Sequence, residues 1–162
     1  MNNNKEKLNE LRHLVINCPL DAILRDYNTE LVNYLISGTR PDYSAEYENV
    51  KHTSNCDTYY PVLDVVASVD TVSEKTLERY AKKDMENIGK LSLIFWLCII
   101  YNASFPDAVR LIASAGYIIN GYFDNAEFYL IILYYIDRFP DDPFERCELV
   151  SMLLTEHRLG LI

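Results

Sequence analysis

The stretch that most restricts the fold is LSLIFWLCIIY, Leu91 to Tyr101, in which Ser92 is the only polar residue and which holds the only tryptophan, Trp96. A segment apolar on all sides has to be buried on all sides. It is too short to cross a bilayer, which takes ~20 apolar residues. It is longer than the usual strand of about 5–6 residues, and apolar residues continue at helical spacing on either side. The pattern therefore predicts a central core helix, from about Ile88 to Asn102, with the rest of the chain wrapped around it.

A chain of 162 residues suits a single helical domain, residues 1–162, with length enough for a real core. The net charge of −9 disfavours nucleic acid and anionic membranes, whose phosphates need Lys and Arg to neutralise them. It is compatible with a basic protein partner, which an acidic surface steers in, and also with a charge that serves solubility alone. The amino terminus, MNNNKEKLNEL, has no apolar signal-peptide core, so the expected location is the cytoplasm, or export by a route without a cleaved signal. Four cysteines, at 18, 56, 98 and 147, contain no C-x-x-C pair and signal neither zinc nor redox chemistry. The thirteen tyrosines have apolar bodies and polar tips that suit the edge of a core, with a remainder available for contacts.

Taken in order, Leu8, Leu11, Leu14 and Val15 give one face of a helix over about Lys5–Asn17, which Cys18-Pro19 ends. A short helix from Leu20 to Arg25 is expected next. A second, capped by Asn28 or Thr29 and stopped by Gly38, turns Leu31, Val32, Leu35 and Ile36 inward. Segment 39–60 is the least determined, with a short helix near Ser44–Lys51. Val62–Val69 suits a strand by its β-branched residues, but no second strand is evident to pair with it, which favours a helix. Thr71 and Glu74 fit a capping box before a helix at roughly 73–85. Ser104 caps a helix with Pro106 in its first turn and an inner stripe of Phe105, Ala108, Val109, Ile112, Ala115 and Ile119. Gly121 ends it. Asp124 or Asn125 caps another over Ala126–Asp137. The last helix runs from Pro143 to about Arg158, with Phe144, Cys147, Val150, Leu153 and Leu154 inward, and Gly160 stops it. The fold class is all-α, about eight helices in a compact bundle or a short stack of helical hairpins.

Residues 116–137 resemble the second half of a tetratricopeptide repeat. Tyr117, Gly121, Phe123 and Ala126 stand in the order and spacing of that family's pattern, and Asp137 stands at its closing acidic position. Arg138 replaces the closing proline, and Arg110 occupies the place of an early tryptophan. No second copy follows at the repeat length, so the stretch reads as an antiparallel helix pair with convergent turn chemistry.

Catalytic motifs are missing. There is no glycine-rich phosphate loop, no H-E-x-x-H and no pair of Glu-x-x-His motifs of the kind that ligates paired irons in helical bundles, so no catalytic residue, metal or cofactor is expected. Glu48 and His52, at i and i+4, suit an ion pair. Asp141, Asp142, Glu145 and Glu148 crowd one turn and the helix it opens; a helix N-terminus favours carboxylates, and a basic partner would too. Tyr59 and Tyr122 lie near predicted loops and complete the candidate contact residues. The general character of the chain (small, acidic, all-helical, tyrosine-rich, without catalytic residues) resembles the immunity proteins of bacterial contact-dependent and polymorphic toxin systems. That resemblance implies binding to a cognate toxin domain, often a basic nuclease, and blocking of its active site. The alternatives are a helical adaptor or host-modulating effector that holds a peptide in a groove, and an enzyme or ligand-binding bundle whose site is assembled across helices.

Overall fold

The computed structural model describes residues 2–37, 42–53, 91–115 and 124–162. Within these residues the protein is all-α: seven helices and one 3-10 turn form a compact bundle, with no strand. The helices are α1 (Asn2–Ile16), α2 (Leu20–Ser37), α3 (Tyr43–Thr53), α4 (Leu91–Ile100), α5 (Phe105–Ser114), α6 (Asp124–Tyr134) and α7 (Pro143–Arg158), with the 3-10 turn at Ile136–Arg138. The segments expected at 62–69 and 73–85, and the turn around Gly121, lie outside the described residues.

Helix α4 is the central element. Every residue from Ile94 to Ile100 is fully buried. It packs against α5, α6 and α7, so its apolar sides meet different partners. Phe95 stacks on Tyr129 of α6, with ring centres 4.3 Å apart, and meets Trp96 edge-on at 5.5 Å. Helix α5 touches α2, α3, α4 and α6. Ser104 caps it, accepting from the Asp107 amide at 3.3 Å, and Pro106 occupies the first turn as the sequence predicts. Helix α1 buries Leu11 and Val15 and lies on α7. The Arg12 guanidinium there forms a two-pronged bond with the Glu156 carboxylate, at 2.7 and 2.5 Å.

Several local expectations change. Helix α5 ends at Ser114 with Ala115 as its C-cap, rather than running on to Gly121, and α6 ends at Tyr134, short of the expected Asp137, which falls in the 3-10 turn. Leu20–Ser37 is one continuous helix, not two. Thr29 does not cap; its hydroxyl donates back to the Arg25 carbonyl at 2.9 Å. Its inner stripe is Ile23 and Tyr27, both fully buried, while Val32 and Ile36 are 47 % and 78 % exposed on the other side. With no proline or glycine between Arg25 and Asn28, nothing breaks the helix. In α7, Phe144 was expected inward but is 43 % exposed. The helix turns Arg146, Cys147, Leu149, Val150, Leu153 and Leu154 into the core instead, and this register leaves Phe144 on the far side. No helix among the described residues is long and apolar enough to cross a membrane.

Candidate functional site

A helix end buried as fully as Ile94–Ile100 cannot leave its last carbonyls to water, so the end of α4 needs partners from within the protein. They come from two sources. Asn102 takes a left-handed conformation, φ 52°, and the chain turns back on itself. The Asn102 amide then donates to the Ile99 carbonyl at 3.2 Å and the Ala103 amide to the Cys98 carbonyl at 2.9 Å. These two bonds form a Schellman motif with asparagine in the usual glycine place. The Tyr101 amide serves the Leu97 carbonyl at 3.0 Å. Arg146 of α7 supplies the rest. Its Nε donates to the Ile99 carbonyl at 2.7 Å and its Nη2 to the Ile100 carbonyl at 3.0 Å. A fixed cation at this end also opposes the negative pole of the helix dipole.

The other edge of the same guanidinium reaches the turn before α7. Nη1 donates to the Pro140 carbonyl at 3.2 Å and the Asp141 carbonyl at 2.8 Å. Arg146 is only 1 % exposed, so these bonds form away from competing water. The backbone under Asp141 is thus tied to the centre of the bundle. The next residue, Asp142, is the N-cap of α7 and accepts from the Glu145 amide at 2.9 Å. Pro143 follows with its ring in the first turn.

The structure therefore brings the four acidic candidates together. Asp141, Asp142 and Glu145 are exposed at the head of α7, and half-buried Glu148 lies one turn further along. Tyr59 and Tyr122 lie outside the described residues. The tyrosines whose side chains are described point away from a contact role. Tyr27, Tyr43, Tyr47, Tyr101 and Tyr129 are buried, and Tyr134 and Tyr135 are half-buried. Tyr43, Tyr47 and Tyr101 form one chain of ring contacts, 6.4 and 6.2 Å between centres. The exposed large apolar residues beside the acidic head are instead Phe144 and Met152. Sequence reasoning missed Phe144 as a surface residue and Arg146 as a core one.

A second polar cluster lies where α2, α3 and α5 meet. Arg110 bonds Asp107 at 3.0 Å and faces Glu30 at 3.8 Å, and Asn49 donates to Asp107 at 3.2 Å. Burial raises the Glu46 carboxyl above its ordinary range. Arg110 opposes that rise, while Asp107 and Glu30 add to it. The cluster links three helices, and its carboxylates are not arranged around a common point: among the described residues no group of three or more His, Cys, Asp or Glu is placed to hold a metal ion. Burial also pushes up the thiols of Cys98 and Cys18, which makes both poor nucleophiles.

Comparisons with protein-family models, with curated proteins and with solved structures each find no match for this chain.

Proposed function

We propose that this protein is a non-enzymatic inhibitor that binds a basic protein domain and blocks it by occlusion, as an immunity protein does with a toxin domain. One observation carries the proposal: the acidic head of α7 is preorganised. Its backbone is tied through Arg146 to the buried end of α4, yet Asp141, Asp142 and Glu145 keep their carboxylates in solvent. Fixed, solvated charges of one sign raise the rate of encounter with an opposite charge and reject partners of like charge. Holding them rigid lowers the ordering cost of binding. The net charge of −9 extends the same field over the whole molecule.

The test compares the wild-type protein with a variant carrying Asp141→Asn, Asp142→Asn, Glu145→Gln and Glu148→Gln. Asparagine caps helices as well as aspartate, so α7 keeps its N-terminal bond and the fold survives. Both proteins are immobilised and exposed to extract of the native cell, and what remains bound is identified by mass spectrometry. The expected outcome is a basic protein held by the wild type and lost from the variant, whose toxic or enzymatic activity the wild type suppresses at stoichiometric ratio. Identical proteins on both, or an activity unaffected by excess wild type, would contradict the proposal.

A further inference from the structure

The outer face of α7 joins two apolar side chains to the acidic head. Phe144 and Met152 are 43 % and 38 % exposed. Met152 lies eight positions after Phe144, a little over two helical turns, so the two are about 80° apart around the axis and about 12 Å apart along it. Glu148 is four residues from each and sits between them; Glu145 flanks the pair, and Thr155 extends the face by one turn. From Phe139 to Thr155 the only cation is Arg146, and it is turned into the core. Between residues 139 and 155 this face carries apolar and anionic side chains and no exposed cation; the exposed Arg138 and Arg158 stand just beyond its two ends.

We infer that it is the docking surface for a basic amphipathic helix of the partner protein. The inference rests on the proposed binding of a basic protein and specifies how that protein is held. An apolar stripe on the incoming helix covers Phe144 and Met152, while Lys and Arg on its flanks meet Glu145, Glu148 and the Asp141–Asp142 head. Ridge-and-groove packing of two helices needs apolar side chains at this kind of spacing on both. Charge selects among occupants. A second copy of this chain would set the same four carboxylates against themselves across a two-fold axis, and an anionic lipid surface would be repelled. Only a cationic occupant removes the mutual repulsion of these carboxylates while covering the two apolar groups.

Two synthetic peptides of equal charge and composition test this against the full-length protein. One carries Leu on a single helical stripe with Lys elsewhere; the other has the same residues scrambled so that no stripe forms. Titration into isotope-labelled protein is followed by amide chemical shifts and by calorimetry. The striped peptide is expected to bind more tightly and to shift amides along residues 144–155. Truncating an interface anchor typically weakens binding severalfold or more, so Phe144→Ser with Met152→Ser should weaken the striped peptide roughly tenfold or more. Ile16→Ser, at an exposed apolar residue of α1, should change nothing. The docking surface is overturned if the shifts map elsewhere, if the double variant binds as well as the wild type, or if stripe and scramble bind alike. In that last case, loss of both peptides from the four-carboxylate variant still upholds capture by the acidic head. Unchanged binding to that variant removes both ideas.

Discussion

Arg146 is the residue on which the most structure converges. It completes the carbonyl end of α4 and anchors the turn that presents the acidic head. Methionine fills similar volume but donates nothing, which leaves buried carbonyls without these partners. Each such group costs ~1–3 kcal/mol. Arg146→Met is therefore expected to lower stability by roughly 3 kcal/mol or more in urea unfolding. Lysine keeps the charge but lacks the planar fork, so Arg146→Lys should fall between. Equal stability of all three proteins would refute the assignment. Its burial was within reach of the sequence, because Arg146, Val150 and Leu153 follow helical spacing. Charge concealed it, since arginine is rarely buried and nothing in the sequence shows where carbonyls lack partners. Two carboxyls give pH signatures of opposite sign. Glu156 is held below its ordinary range, first by the hydrogen bond from Arg12 and then by its charge, against the pull of burial. Its stabilisation is present above the unfolded value of about 4.3 and is lost as pH falls through the folded value. Arg12→Met should weaken the fold by ~1 kcal/mol at neutral pH and flatten that acid limb. Glu46 is raised, so its contribution is fully present below the unfolded value and lost as pH rises through the folded one. Glu46→Gln should therefore stabilise the protein slightly at neutral pH and not at acid pH.

Among the elements, α4 is where sequence and structure agree most fully. An uninterrupted apolar run has one physical outcome, and Trp96 is fully buried. Its fluorescence should be blue-shifted and resistant to aqueous quenchers until the protein unfolds. Leu97→Ala should cost about 2–5 kcal/mol, the range for opening a cavity in a core. Helix ends were legible wherever capping residues mark them. Ser104 and Pro106 open α5, Asp142 and Pro143 open α7, and Gly160, with φ 72°, closes α7. Helix α2 was misread because Asn28 and Thr29 are capping types set in a helix interior. Nothing stops the preceding helix there, so Thr29 bonds backward and the chain continues. That continuity rotates the stripe, burying Ile23 and Tyr27 rather than Val32 and Ile36. Phe144 was misplaced for a related reason. Its hydrophobicity favoured the core, but the register of α7 is set by Cys147, Val150, Leu153 and Leu154 together. The acidic cluster was legible as a cluster; the tie of its backbone through Arg146 depends on a contact with α4 far away in sequence.

For the molecule as a whole, in the proposed reading the bundle is a mount for one charged surface. Among the described residues seven helices share a core built on α4, and the guanidinium that seals the end of α4 also ties down the surface turn. Tyrosine, abundant in the sequence, serves the interior in the described residues, and the proposed contact surface consists instead of carboxylates with Phe144 and Met152 beside them. Such a surface should act first on the rate of association and then, through its apolar pair, on the lifetime of the complex. The central claim, that the acidic head captures a basic protein, is tested most directly by association kinetics. The captured partner is mixed with wild-type protein and with the variant neutral at 141, 142, 145 and 148, over a range of salt concentrations. The wild type should associate at least tenfold faster at low salt and lose that advantage as salt screens the charges, while the variant's rate stays nearly flat. Equal association rates with equal salt dependence would contradict the account.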